Sequence, residues 1–202
     1  MKAAYYSGAR GVLLVMPTGG GKTVVFAHVT MLANARGTRT LIVAHRIELI
    51  RQASAKLTHA GVPHGIIAPG FPATAHLVQV GSIQTLARRL DRLREFDLII
   101  IDEAHHAVAG QWAKLIERQP RARLLGVTAT PERLDGKGLG VEAGGPFDRL
   151  VLGPSVKELI ASGHLTEARV FAPANPDLSG LGPSAAILQS AAWPAQCRRP
   201  RS

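Results

Sequence analysis

With 202 residues the chain has enough material for one ordinary hydrophobic core and a tail, domains usually running to about 100 to 200 residues. Apolar residues make up 46% and aromatics only 4%, which excludes general disorder and favours a sheet of valine, leucine and isoleucine buried on both faces. Lysine and arginine exceed aspartate and glutamate by 24 to 14, a net charge of +10; such a molecule attracts polyanions, nucleic acid first among them, although arginine-rich coding alone raises the charge of many proteins.

Apolar runs recur along the chain as "VLLVM" (12–16), "TLIVA" (40–44), "HLVQV" (76–80), "FDLIII" (96–101) and "RLLGVT" (123–128). Between them, apolar residues at helical spacing predict helices over 23–35, 47–60, 83–93 and 111–117. Strand alternating with helix predicts an α/β fold, a mainly parallel sheet flanked by helices, with ligands bound at the carboxyl ends of the strands. Past residue 128 a glycine-rich stretch gives way to "FDRLVLGPSVKELIASGHLTEARVFAP", which reads as a strand, a helix over 155–162 and a closing strand. The domain is expected to span 1–174, and 175–202, rich in Pro, Ala, Ser and Gly, is expected to be a poorly ordered tail. The single cysteine, Cys197, rules out an internal disulfide framework or a cysteine-built zinc site and fits a reducing cytoplasm. No apolar stretch reaches the roughly 18 to 20 residues of a membrane helix, so no membrane partner is expected.

The first strand runs into "MPTGGGKT" (16–23). In the turn that begins at Thr18, Gly19, Gly20 and Gly21 leave backbone N–H groups free to converge on phosphate oxygens. Lys22 would reach the β and γ phosphates of a nucleoside triphosphate, and Thr23, at the start of the helix, would place its hydroxyl on Mg²⁺. The run departs from the Walker A pattern in carrying Met16 where the pattern has glycine. "LIIIDEAHH" (98–106) delivers Asp102 to the carboxyl edge of the sheet, where it would hold the same Mg²⁺, with Glu103 beside it to orient and deprotonate an attacking water. An acidic strand end that merely caps the next helix is the plainer alternative. His105 and His106 lack the i, i+4 spacing of a helical zinc pair; His105 is expected to hydrogen-bond toward the next strand, and His106 to lie on the surface. In "VTATP" (127–131), Thr128 and Thr130 would pair with Asp102 or His105 and move when the γ phosphate departs, or would simply be β-branched residues ending a strand. Tyr5 and Tyr6 would either stack on a base or pack in the core.

Taken in order, MPTGGGKT, VAHRIELIRQ (43–52), SIQTL (82–86), IIIDEAHH and VTATP resemble the first motor domain of superfamily 2 helicases, in the DEAH-box branch of DNA-repair and restriction-type translocases, over about residues 8–178. The resemblance implies a RecA-like P-loop domain that uses ATP and Mg²⁺ to move along or unwind nucleic acid, DNA foremost. By the same resemblance, Lys22, Asp102 and Glu103 are the catalytic set, and Thr128 with Thr130 the coupling motif. It also implies that Arg46, Ser82, Gln84 and Thr85 face a nucleic-acid backbone, positions that a helix cap or a solvated face would equally explain. The family's upstream adenine-reading segment and its second motor domain have no match here. Slow turnover, rescued by a second motor domain in trans, is therefore expected; the rival reading is a truncated remnant that binds nucleotide and polyanions without turnover. A P-loop kinase is the third reading, opposed by Glu103 directly after Asp102 and by the lack of an acceptor region.

Overall fold

The apolar runs become strands because each has a layer to bury on either side. In the computed structural model, which describes residues 1–107, 110–130 and 138–168, they form β1 (Gly11–Val15), β2 (Thr40–Ala44), β4 (Val78–Ser82), β5 (Leu98–Asp102) and β6 (Arg123–Thr128). Two further strands, β3 (His64–Ile67) and β7 (Arg149–Leu152), complete a seven-stranded sheet in the order β3-β4-β2-β5-β6-β1-β7. Every pairing is parallel. The chain divides into two compact units, Met1–Thr166 and Glu167–Ser202, and this architecture belongs to the first.

Side chains alternate across the sheet, and the core divides with them. Leu13, Leu41, Val43, Ile99, Ile101 and Leu124 point into one cluster with Leu86, Trp112, Leu115 and Phe147. Leu14, Ile42, Ile100, Leu125 and Val127 point into the other with Phe26, Ile50 and Leu57. Apart from Phe147, which lies just before β7, those partners come from the helices α2 (Lys22–Asn34) and α3 (Ile47–His59) on one face, and α4 (Ile83–Ala87) and α5 (Gln111–Arg118) on the other. Burial on both faces explains why the strands read as unbroken apolar runs rather than as alternating ones.

Several elements differ from expectation. The helix expected over 83–93 ends at Ala87, and a 3-10 turn, Leu90–Arg92, carries the chain onward. Thr23 is the second residue of its helix, not the first, with Gly21 as the N-cap. The edge strand β3 was not foreseen: it is four residues long, contains glycine and is only half buried. It is pinned to α3 through His64, whose Nδ1–H donates to the Val62 carbonyl at 2.8 Å, leaving Nε2 to accept from the Ser54 hydroxyl at 2.7 Å. A short helix, α1 (Lys2–Tyr6), also precedes the sheet. Its Tyr5 hydroxyl donates to the Leu124 carbonyl at 2.7 Å, at the amino end of β6, and burial raises the phenol's pKa. Tyr5 is thus half-buried and bonded to β6 at the edge opposite the strands' carboxyl ends, while Tyr6 is exposed. The helix expected over 155–162 appears as α6 (Val156–Ala161), with a capping box between Ser155 and Glu158. The closing strand and the tail over 175–202 lie outside the described residues.

Ile100 lies at the centre of the sheet and is fully buried. Ile100→Ala should lower unfolding stability by about 2–5 kcal/mol, read as a lower urea midpoint with an unchanged denaturant slope.

Candidate functional site

In an all-parallel sheet every strand delivers its last residue to the same edge. The register makes this concrete: Val15 pairs with Thr128, Asp102 with Val127, and Ala44 with Ser82. The glycine turn after β1, the acidic pair at the end of β5, the hydroxyl at the end of β6 and the segments after β2 and β4 therefore share one margin.

The glycine turn is built from backbone. Gly19 and Gly21 have φ of +77° and +87°, values that side-chain-bearing residues rarely adopt. At Gly20, a Cβ would come within 2.9 Å of the Pro17 carbonyl. Helix α2 then begins with neither a side-chain cap nor an acidic residue in its first turn, so its N-terminal N–H groups and dipole face outward unneutralised. Lys22 Nζ donates to the carbonyl oxygens of Met16 and Pro17, both at 3.3 Å, which holds the ammonium inside the turn. Met16, at the position where the Walker A pattern has glycine, is buried, and room for it comes from across the strand boundary: a Cβ on Gly153 would overlap Met16 Cγ. Leu165 and Leu159 pack against the turn, 2.9 Å and 3.3 Å from Cβ atoms built on Gly19 and Gly20 respectively.

Asp102 is buried, and its carboxyl pKa is raised by that burial and by the neighbouring Glu103, against a smaller opposing pull from the Glu103 N–H and the Lys22 ammonium. The Glu103 N–H donates to Asp102 Oδ1 at 3.0 Å. Glu103 itself has φ +53° and ψ 55°, the one non-glycine residue with positive φ among the described residues. That conformation costs about 1–2 kcal/mol and turns the chain into a 3-10 segment, Ala104–His106.

The expected tie from His105 to the next strand is present: His105 Nδ1 lies 3.3 Å from Thr128 Oγ1, and also 3.3 Å from Glu103 Oε2. The Thr128 hydroxyl already gives its hydrogen to the Thr130 carbonyl at 2.9 Å and accepts the Thr130 N–H at 3.2 Å. Both of its neighbours being acceptors, Nδ1 carries a hydrogen and is shared between them. Thr128 is fully buried and Thr130 exposed. His106 is on the surface, as expected, but it does not stand alone. Its ring lies 4.1 Å from that of His105 and 4.8 Å from that of His45, a contact that no sequence spacing announced.

Beyond β2 and β4 the margin continues as a hydrogen-bonded patch. The Ser82 hydroxyl donates to Gln84 Oε1 at 2.7 Å, and Gln84 Nε2 donates to the His45 carbonyl at 3.0 Å. Arg46 and Gln84 are exposed; Ser82, though it stands at the N-cap of α4, makes no side-chain cap bond. Thr85 does not join them: it is buried, because the first turn of α4 rotates it inward. The structure therefore corrects the expectation that its hydroxyl faces a ligand.

The donor set suits a magnesium-bound triphosphate. Among the described residues no group of three or more His, Cys, Asp or Glu is placed to cage a metal. Mg²⁺ needs no such cage, since it keeps waters and binds through one or two side chains together with substrate phosphates. The buried Asp102, short of positive charge, is suited to that role.

Comparison with known proteins follows the same lines. The chain matches the family model described as type III restriction enzyme, res subunit, over residues 1–133, and it belongs to that family. It is 33% identical over 169 residues to a 51.5 kDa protein of a Lactococcus phage (isolate 7-9), covering 84% of this chain and 34% of the relative. It is 31% identical over 135 residues to the DNA 3'-5' translocase XPB2 of Sulfurisphaera tokodaii, covering 66% and 30%. Among solved structures, the UvsW helicase of bacteriophage T4 superposes with a TM-score of 0.63 at 19% identity, over 75% of this chain and 58% of that one. The chain is a RecA-like first motor domain of superfamily 2 helicases, of the restriction and repair type. It spans about a third of the length of the curated relatives it matches. Among the described residues, no helix is long and apolar enough to cross a membrane.

Because folding raises the Asp102 pKa, this group favours the folded state below its unfolded value, and that contribution is lost as pH rises through the folded value. In divalent-free buffer at neutral pH, Asp102→Asn should therefore raise the melting temperature, by a margin that shrinks as the buffer is taken toward pH 4. Calorimetry across that range tests it.

Proposed function

We propose that this chain binds and hydrolyses ATP as the motor domain of a DEAH-box translocase on nucleic acid, DNA foremost. The observation that carries the reading is the shared margin, where Lys22 and Thr23 begin α2 while Asp102 ends β5 and Glu103 follows it, one strand removed across β6. On this reading the N–H groups of residues 18–21 and the Lys22 ammonium bind the β and γ phosphates, with Thr23 and Asp102 as magnesium ligands. Magnesium, when bound, neutralises charge on the phosphate oxygens. Glu103 accepts a proton from the attacking water as its oxygen bonds to the γ phosphorus and the bond to the bridging β–γ oxygen breaks, releasing inorganic phosphate and ADP. The His105 N–H, shared with Thr128, is the donor that holds the Glu103 carboxylate in place.

Arg46, Ser82 and Gln84 form the proposed phosphodiester contact, sequence-independent in kind because each would donate to phosphate oxygens. DNA as the track is supported by the printed function of the archaeal relative and by the net charge of +10. A second motor domain, in trans or in a longer polypeptide, is the partner expected to close over the nucleotide. A cytoplasmic site of action suits the lone Cys197.

Phosphate release with and without single-stranded or duplex DNA tests the reading. Glu103→Gln should lower turnover by about 10² to 10⁴ and leave nucleotide affinity intact. Lys22→Ala should weaken nucleotide binding roughly 10- to 100-fold, the loss of one charge-assisted contact of about 1.5–3 kcal/mol. Turnover that is indifferent to DNA and to Glu103→Gln would defeat the proposal.

A further inference from the structure

Between the nucleotide margin and the Arg46–Gln84 patch stands the group of three imidazoles. His105 and His106 belong to the 3-10 turn after β5, and His45 follows β2 directly. The rings are in series: His105 to His106 at 4.1 Å with planes inclined 46°, and His106 to His45 at 4.8 Å, edge to face at 65°. At one end of the series, His105 Nδ1 is divided between Glu103 and Thr128 at equal distances of 3.3 Å, both longer than the mode of about 2.9–3.0 Å for such bonds. At the other end, the backbone of His45 is tied through its carbonyl to Gln84 and thence to Ser82.

Two details make this series a device for transmitting position. His45 Nδ1 is buried and has no hydrogen-bond partner. The ring is thus held by packing against His106, with no polar tether at that nitrogen to resist a tilt. The evenly shared proton of His105 marks a group poised between two acceptors, so anything that draws the Glu103 carboxylate toward the nucleotide leaves His105 to Thr128 alone and shifts its plane against His106. Burial, with Arg46 beside His45 and the other imidazoles around His106, lowers the pKa of both rings, against an opposing pull from Glu103.

We propose that His106 is a positioning residue that couples the state of the nucleotide site to the His45–Arg46 and Ser82–Gln84 surface through ring contact, without touching nucleotide or nucleic acid itself. The proposal rests on the function proposed above and adds a named link between its two sites. Coupling of this kind is a ratio of affinities, typically about 5- to 150-fold, and it is required to be the same in both directions.

The test uses the full chain and a fluorescein-labelled DNA oligonucleotide, whose dissociation constant is measured by anisotropy with and without saturating Mg²⁺ and the β,γ-imido analogue of ATP. In the wild type that constant should change at least fivefold when the analogue is added. In His106→Ala the change should fall below twofold, while the affinities for oligonucleotide alone and analogue alone stay within about threefold of wild type. His106→Phe, which keeps a flat ring but no ionisable nitrogen, should restore the coupling, a rescue that a general loss of structure would not show. A wild-type ratio in His106→Ala, or no rescue by phenylalanine, overturns the proposal. Wild-type protein that binds both ligands with no coupling overturns this inference and leaves the function standing; wild-type protein that binds neither overturns both.

Discussion

The molecule is organised around a carboxylate that its own fold disfavours. Asp102 sits at the end of a strand buried on both faces, its ionised form opposed by desolvation and by Glu103, and eased in part by Lys22 from a helix that begins elsewhere in the chain. Folding that leaves a group under such electrostatic strain needs a reason, and perturbed titrations cluster where a ligand or a reaction relieves them. A magnesium-bound triphosphate seated on the glycine turn would be that relief. The strained backbone of Glu103 has the same location, because its αL conformation is where the chain leaves β5 for the 3-10 turn that carries His105 and His106.

The rest of the architecture serves to bring these groups together. Parallel pairing places all strand ends on one edge, and register fixes which of them are neighbours. The single strand between β1 and β5 is β6, whose terminal Thr128 stands against both the start of the glycine turn and His105. The side chain at Met16 is accommodated in the same economical way: a glycine at position 153 leaves room for it.

Much of this was legible in the residues. Five strands announce themselves because burial on both faces demands continuous aliphatic runs, and three of the four helices between them keep apolar spacing over nearly their whole length. The fourth departs: Leu90 and Leu93 continue the spacing, yet the chain leaves the α conformation at Ala87, and beyond it Leu93 is buried and Leu90 part-buried against the same cluster without a helix. Strand β3 was illegible for the opposite reason, a half-buried edge needing little apolar pattern. In the site, Lys22, Asp102 and His105 follow from local motifs. The burial of Thr85 and the ring contact between His45 and His106 depend on how α4 is rotated and how far β2 and β5 extend, and no one-dimensional spacing encodes either.

The proposal that Lys22 and Asp102 converge on one metal-bound phosphate chain is tested most directly by titrating ATP into the protein calorimetrically, with Mg²⁺ and with a chelator, in the wild type and in Asp102→Asn. Wild-type affinity should fall at least about tenfold when magnesium is withdrawn, as expected for loss of a charge-assisted contact, and the variant should bind with the same lower affinity whether or not the ion is present. A variant that keeps the full magnesium dependence would separate the carboxylate from the nucleotide and contradict the site described.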